Sequence, residues 1–354
     1  MSDTRLKGQM SYEYSTKKIL TPAKVISTSI IICIALTVVI GIALIMGTAN
    51  VSLKQVFAAF WGTLAPDESA WLIIFKIRLP RIILAGLVGF SLSLGGVIFQ
   101  AILRNPLADP FILGVSSGSA FGAVLAIFFG LSFNLGVPLM SFAGAVFTIY
   151  LVIMIGSRNI GVESSTILLT GVIINAFFTA IIMFFISVST DARLHTMLYW
   201  LYGDLSQSEY SQLLFITPFI IISSIVLFSF AKDLNIITTG EENAAQLGVE
   251  VEKIKKLSLL IVSLIMGLVV AFSGLIGFVG LIVPHLGRMA FGSDHRLLIP
   301  VASIGGAIFL ILADTIARTV ISPNELPVGV ITAFMGAPFF IILLKKRGSQ
   351  WTRS

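Results

Sequence analysis

Charge is scarce in this sequence. Only 11% of its 354 residues are Asp, Glu, Lys or Arg, while 56% are hydrophobic and the mean hydropathy is +1.01. A soluble domain carries roughly 25% charged residues, so this chain has too few of them to cover a water-facing surface. The apolar runs are long and continuous, whereas the strands of a membrane barrel would alternate. The composition therefore predicts an all-α polytopic membrane protein.

Residues that bind metals, nucleotides or nucleic acids are also few or absent. The single cysteine, Cys33, lies in the first apolar run, and the three histidines are far apart in sequence. We therefore predict no disulfide within the chain and no permanent metal site. The phosphate-binding pattern G-x-x-x-x-G-K-[S/T] does not occur, so hydrolysis of nucleotide is not expected of this chain. The net charge of +6 favours basic loops on the cytoplasmic side of a membrane over nucleic-acid binding.

Ten apolar stretches account for most of the chain. The first, 25–46, has 22 uncharged residues, enough to cross the ~30 Å hydrocarbon core of a bilayer. Since ten crossings place both termini on one side, the positive-inside bias tests the orientation, and 17 of the 23 Lys and Arg fall on the N-terminal side. The sequence therefore predicts about ten transmembrane helices with both termini inside. The stretches are 25–46, 82–103, 111–130, 137–155, 165–187, 210–231, 257–273, 275–291, 298–320 and 327–344.

These stretches also set the domain boundaries. We predict a cytoplasmic N-terminal tail at 1–24, a transmembrane domain at 25–344 and a cytoplasmic tail at 345–354. The longest cytoplasmic connection is the charged segment 232–256. Ser273 and Gly274 are the expected turn between the seventh and eighth stretches.

The segment AILRNPLADPFILGVSSGSAFG, at 101–122, interrupts the apolar pattern. Pro106 and Pro110 stop helices, while Asn105 and Asp109 can bind the backbone groups freed at a helix end. The residues leave two interpretations open, a plain turn between helices and a constriction in a transport pathway, because non-helical backbone at membrane depth is tolerated where it lines a cavity. Glycines follow every fourth residue, at 114, 118 and 122, a spacing that allows close helix packing. The run G-V-S-S-G also matches a hydrolase nucleophile pattern, but its apolar helical context does not fit that function.

Several motifs together give the chain a specific resemblance. They are RLPR at 78–81, NPLADP at 105–110, GEENAAQLGVE at 240–250, GFVGLIVPHLGR at 277–288, DHR at 294–296, LAD at 312–314 with Arg318, and ELPVGVITAFMGAPFF at 325–340. With these motifs the chain resembles the permease subunits of the iron-siderophore, haem and vitamin B12 family of ABC importers, the FecCD type. The resemblance implies the type II importer permease fold with ten transmembrane helices in the bacterial cytoplasmic membrane.

The resemblance also implies partners. Two ATPase subunits would bind ATP and Mg²⁺, so no cofactor is expected on this chain, and an extracytoplasmic binding protein would deliver the cargo. A second permease subunit, identical or homologous, would complete the channel within the lipid. A ferric siderophore is the expected cargo, with haem or cobalamin as the alternative. A stand-alone secondary transporter is disfavoured, because the predicted spans have almost no ionisable residues away from their ends.

Roles for individual residues follow from the same motifs. Arg78, Arg81 and Arg318 are predicted to dock acidic residues of the binding protein, although basic side chains that snorkel at helix ends would show the same pattern. Asp314 lies one turn before Arg318 and could orient it by an intrahelical pair. The resemblance assigns a cytoplasmic gate to Asn105, Leu107, Ser164 and Ser165. It assigns coupling to the ATPase to a pair of short helices that include Gly240, Glu241, Glu242, Gln246, Leu247 and Gly248, in place of a simple solvated linker.

Overall fold

The computed structural model describes residues 21–66, 68–156 and 164–351, and the regular structure within these ranges is helical. One continuous helix, Ser69–Ile102, comprises α3, a π-helical turn and α4. In chain order the elements are α1 (Pro22–Ile45), α2 (Leu53–Phe60), α3 (Ser69–Leu72), the π-helical turn (Ile73–Arg78), α4 (Leu79–Ile102), a 3₁₀ turn (Pro110–Leu113), α5 (Val115–Phe128), α6 (Gly136–Gly156), α7 (Ser164–Ser187), α8 (Asp191–Leu201), α9 (Tyr210–Ser229), α10 (Ala231–Ile237), α11 (Glu241–Gln246), α12 (Val251–Ser273), α13 (Val279–Phe291), α14 (His295–Thr319) and α15 (Val328–Trp351).

Each of the ten predicted apolar stretches coincides with a helix. Among the described residues, seven helices are long and apolar enough to cross a membrane, and α5, α13 and α15 carry shorter apolar stretches. Helix α5 has 14 residues and is therefore about 21 Å long, short of the ~30 Å hydrocarbon core. It is shorter than the sequence predicts because Pro110 starts a 3₁₀ turn and Gly114 then takes a left-handed conformation, with φ of +76°. The number of crossings and the orientation of the termini stay predictions.

Local signals fix several helix ends. Thr21 and Asp294 accept backbone N–H groups as N-caps of α1 and α14. Helix α12 ends at Ser273, and Gly274 follows with a positive φ of +67°, which confirms the predicted turn. The last helix continues to Trp351, so part of the segment predicted as the C-terminal tail is helical. Residues 1–20, most of the predicted N-terminal tail, lie outside the described residues.

Helix α4 forms the centre of the bundle. In the most apolar part of the helix Ser69–Ile102, 78% of residues are buried, against 11% in α1, which lies at the periphery. Helices α4 and α14 approach so closely that a Cβ added at Gly89 would lie 2.2 Å from the carbonyl oxygen of Gly306. The Ser93 hydroxyl also donates to the carbonyl of Ala302 over 2.7 Å. Small residues at these positions permit the contact, as is usual between membrane helices.

Helices α5 and α6 pack through the glycine face that the sequence predicts. A Cβ on Gly118 would lie 2.5 Å from the carbonyl oxygen of Gly144, and one on Gly122 would lie 2.0 Å from that of Met140. Gly114 is the N-cap of α5, and a Cβ on it would lie 3.1 Å from the carbonyl oxygen of Gly171 and 3.5 Å from Thr148 Cγ2. The spacing therefore marks a packing surface, in agreement with the physical interpretation of the motif.

Two groups of charged contacts lie at opposite ends of the bundle. Helix α4 begins beside Arg81, whose guanidinium contacts Asp314 near the end of α14. Helix α14 begins at the other end, where Asp294 contacts Asn235 of α10. The 24-residue helix α4 separates the two ends by about 36 Å. The predicted docking residues lie at the first end and the predicted coupling helices at the second.

Candidate functional site

The first end contains a buried network of charged side chains. The Arg81 guanidinium lies 2.9 Å from Asp314 Oδ1 and 2.6 Å from Glu325 Oε2. Arg318 Nε lies 3.0 Å from Asp314 Oδ2, which confirms the predicted pair one turn apart. The contact is an ion pair and not a hydrogen bond, because the N–H does not point at the oxygen. Arg81, Asp314 and Arg318 are each 5% exposed or less. Glu325 is the open side of the network, since its side chain is 36% exposed.

Arg78 belongs to the same end but has different partners. Its guanidinium donates to the carbonyl oxygens of Leu44 at 2.5 Å and Ile45 at 2.9 Å, and to that of Ala49. These carbonyls lie at and just beyond the end of α1, where helical carbonyls have no partner within the helix. A side chain on Gly47 would collide with the guanidinium, since an added Cβ would lie 2.6 Å from Arg78 Nη2. Arg78 therefore fastens the end of α1 to the start of α4.

The three predicted docking arginines are more enclosed than side chains that dock freely or snorkel at a helix end would be. Arg78, Arg81 and Arg318 are buried, so they neither snorkel nor project freely outward in this conformation. Three cations, Arg78, Arg81 and Arg318, lie near two carboxylates, Asp314 and Glu325, so this cluster of five groups has a net charge of +1. A docking partner would have to compete with Glu325 or approach the network through it. The docking role itself stays a prediction.

The predicted gate lies at the other end, in the turn after α4. The Asn105 side chain accepts the Leu107 N–H over 2.9 Å, and Asp109 accepts the Phe111 N–H over 2.8 Å. In both turns a side-chain oxygen accepts a backbone N–H group that is freed at the helix end, as the sequence predicts. Burial raises the pKa of Asp109 to about 6, although the hydrogen bond from Phe111 opposes the shift. Leu107 is 40% exposed at the tip of this turn.

The second part of the predicted gate, Ser164 and Ser165, lies at the start of α7. Helix α7 begins at Ser164, and the side chains of Ser164 and Ser165 lie outside the described residues. The structure therefore brings Asn105 and Leu107 into one turn and leaves their relation to these two serines a prediction.

The predicted coupling segment forms two short helices, α10 and α11, as the resemblance implies. Helix α11 ends in a Schellman motif: Gly248 has φ of +83°, and the N–H groups of Gly248 and Val249 bind the carbonyls of Ala245 and Ala244. This turn holds Leu247 at the surface with 70% exposure. Glu242, Gln246 and Gly248 are also exposed, so the residues around Leu247 form one open surface.

Polar contacts hold the coupling helices to the bundle. Lys255 of α12, which is 4% exposed, pairs with Glu241 of α11 over 2.9 Å. Glu241 also lies in the first turn of α11, where a negative charge is favourable. The Asn235 side chain of α10 binds Asp294 and His295 at the start of α14. Sequence reasoning missed Asn235 and Glu325, since each acts through a partner about 60 or more residues away.

Comparison with known proteins identifies the chain. The family model described as the FecCD transport family matches residues 34–346. The chain belongs to the FecCD transport family. It is 42% identical over 280 residues to the cobalamin import system permease BtuC of Halobacterium salinarum, covering 79% of this chain and 75% of the relative. It is 39% identical over 311 residues to the hemin transport system permease HmuU of Yersinia pestis, covering 86% and 92%.

A solved structure gives the same result for the fold. A chain described as an inward-facing conformation of a metal-chelate type ABC transporter superposes with a TM-score of 0.79 and 33% identity, over 91% of this chain and 99% of that one. This FecCD chain is thus a multi-pass permease subunit of an ABC importer in the inner membrane. Permeases of this kind work with an ATPase and a substrate-binding protein.

Proposed function

We propose that this permease imports a ferric siderophore across the cytoplasmic membrane, and that haem or cobalamin is the alternative cargo. The observation that carries the proposal is the likeness to the metal-chelate type transporter over nearly the whole chain. The relatives named for cobalamin and hemin favour the alternative. Two permease copies, or this chain and a homologue, would form the channel, with two ATPase subunits that bind ATP and Mg²⁺ and with no cofactor on this chain.

Uptake into vesicles tests the cargo. Vesicles would contain this permease with its ATPase and receive the binding protein with a radiolabelled ferric hydroxamate, hemin or cobalamin. We expect ATP-dependent accumulation of the ferric hydroxamate. Preferential accumulation of hemin or cobalamin would select the alternative. Accumulation that continues without the ATPase would contradict both and favour a secondary transporter.

Docking of the binding protein is assigned to the cluster of Arg78, Arg81, Arg318, Asp314 and Glu325, which has a net charge of +1. Arg81 and Arg318 would exchange part of their contact with Asp314 and Glu325 for carboxylates of the binding protein, because charge-assisted arginine–carboxylate bonds are strong and directional. Arg78 would contribute through its positive charge and by fixing the end of α1. The partial exposure of Glu325 supports this entry route. Reversal of Arg81 to Glu should weaken binding-protein affinity, and a Glu→Lys change on the partner should restore part of it.

The gate is assigned to Asn105 and Leu107 with Ser164 and Ser165 opposite. The turn at 103–109 keeps its backbone bonds through its own side chains, which supports movement as a unit. The partly exposed Leu107 would supply the apolar contact that closes the constriction.

Coupling is assigned to the surface around Leu247, with Gly240, Glu241, Glu242, Gln246 and Gly248. A large apolar side chain that is 70% exposed on a rigid turn is suited to insertion into a groove of the ATPase. We expect Leu247→Asp to abolish ATPase binding and transport. The control Lys253→Ala changes an exposed neighbour that pairs only with Glu250 at the surface, and it should leave both intact. Normal ATPase binding by Leu247→Asp would contradict the assignment.

A further inference from the structure

Asn235 stands at the only side-chain bridge recorded between α10 and α14 in the part of the chain that the structure describes. Its Nδ2 donates to Asp294 Oδ1 over 2.9 Å. Its Oδ1 accepts the backbone N–H of His295 over 2.8 Å and lies 2.7 Å from His295 Nδ1. One amide group thus holds both the capping residue and the first residue of α14.

Both sides of this bridge are themselves fixed. Leu234 and Ile237 of α10 are fully buried, so α10 cannot turn without moving its neighbours. On the α14 side, Asp294 caps the helix by accepting the Arg296 N–H over 3.0 Å, and the Arg296 guanidinium lies 2.6 Å from Asp294 Oδ2. The hydrogen bonds from Arg296, helped by that from Asn235, lower the pKa of Asp294 to about 2, so the carboxylate stays charged at neutral pH.

Helix α14 then leads directly to the opposite end of the molecule. Its 25 residues span about 37 Å, and residues 297–313 carry no charge. Pro300 leaves the carbonyl of Arg296 without its helical partner, so bending is easiest within the first turns, next to the bridge. Beyond that point the helix is closely packed on α4 and ends in the network of Asp314 and Arg318.

We propose that Asn235 is a positioning residue that transmits movement of the coupling helices to α14, and through α14 to the charged network at the opposite end. The inference rests on the proposed coupling role of α10 and α11. It adds a specific point of entry, since movement of α10 pulls on Asp294 and His295 at the start of α14 through hydrogen bonds of 2.9 and 2.8 Å. A merely structural Asn235 would stabilise the fold without changing how the far end responds to nucleotide.

Two substitutions of Asn235 test the bridge. In Asn235→Asp, two carboxylates face each other at the present 2.9 Å contact and repel, so the bridge opens. In Asn235→Leu, a side chain of similar size makes neither hydrogen bond and adds no charge, so the bridge opens without repulsion. Thr239→Ala, whose hydroxyl bonds only to the Ile236 carbonyl of α10, is the matched control.

The measurement is the distance between spin labels at Val320, just beyond α14, and at Trp61, just beyond α2. Both sites are at least 60% exposed, and Cys33→Ser removes the single native thiol. The complete transporter in vesicles, with its ATPase, is compared with and without ATP and vanadate. We expect a nucleotide-dependent shift in the parent and in Thr239→Ala. We expect the shifted population to fall about fivefold or more in both Asn235→Asp and Asn235→Leu.

Two results would overturn the inference: the same shift in Asn235→Asp as in the parent, or no shift in the parent. A parent-like shift in Asn235→Leu would also overturn it, since the effect of Asn235→Asp would then come from charge repulsion alone. Equal membrane insertion, unfolding temperature and ATPase co-purification across the variants separate transmission from folding. If Leu247→Asp still binds the ATPase, the coupling assignment fails as a whole; if it does not and Asn235→Asp behaves as the parent, the role of Asn235 alone fails.

Discussion

Asp314 is the residue on which the charged network depends. It is 1% exposed, and its two oxygens lie 2.9 Å from Arg81 and 3.0 Å from Arg318. Asp314→Asn removes the charge with almost no change of shape. Loss of one partner from a buried ion pair costs ~3–5 kcal/mol, because a desolvated charge is left behind. The lower end applies here, since Arg81 keeps Glu325 and Arg318 keeps a 3.3 Å contact with Thr315.

Two variants calibrate this prediction. Glu325→Gln removes a carboxylate whose side chain is 36% exposed, and water screens such a pair, so we expect a cost below ~1 kcal/mol. Thr319→Ala removes a hydroxyl that bonds only to the preceding turn of α14, and a cost of up to ~0.5 kcal/mol is expected. The predicted order of destabilisation is therefore Asp314→Asn far above Glu325→Gln and Thr319→Ala.

The assay is reversible unfolding in mixed micelles by SDS titration, which gives a free-energy difference for each variant. A double variant, Asp314→Asn with Arg318→Gln, removes the orphaned cation as well as the anion. It should recover at least ~1 kcal/mol of the single-variant loss, in the range of coupling between contacting residues. The reasoning is refuted if Asp314→Asn costs no more than Glu325→Gln, or if the double variant equals the sum of the two single variants.

Three further predictions concern packing, titration and the end of α1. Gly96→Ala should lower the free energy of unfolding by ~1–3 kcal/mol or more in the same assay, because its Cβ would lie 1.9 Å from the Gly280 carbonyl oxygen. The control Gly41→Ala has open space around its Cβ and should raise that free energy by up to ~1 kcal/mol. Asp109 has a raised pKa in the folded protein, so the parent should lose stability relative to Asp109→Asn as the pH rises from ~4 to about 6. Unfolding scans at each pH measure this difference, and a difference that does not change with pH would contradict the prediction. Arg78→Gln should speed trypsin cleavage after Lys54, because the end of α1 loses charge-assisted hydrogen bonds worth ~1.5–3 kcal/mol each. Equal cleavage rates in the parent and the variant would contradict the role of Arg78 in holding the end of α1.

Local sequence signals predict much of this fold. Length and hydropathy place a helix at each of the ten apolar stretches, and the spacing of Gly118 and Gly122 predicts a close helix contact. The i, i+4 spacing of Asp314 and Arg318 predicts their ion pair. These features succeed because the signal for each lies within a single helix.

Long-range contacts explain what the sequence did not predict. Arg81 and Asp314 are 233 residues apart, so nothing local indicates that the arginine is buried against an acid. The three carbonyls that bind Arg78 are backbone groups, which carry no sequence signature. Asn235 is likewise an ordinary polar residue until α10 packs against the start of α14.

The distribution of charge along α14 indicates where energy enters this protein. An ion-coupled transporter places ionisable residues at the middle of the membrane, where ion binding can drive the conformational change. In α14 the charged residues are Arg296 near one end and Asp314 and Arg318 near the other, and the uncharged part between them is closely packed on α4. Such a helix has no internal group that could respond to an ion gradient. Its movement must therefore come from contacts with neighbouring helices, and the end beside Asn235 adjoins the helices assigned to the ATPase. The arrangement therefore fits a permease that is driven by a separate ATPase better than one that works alone.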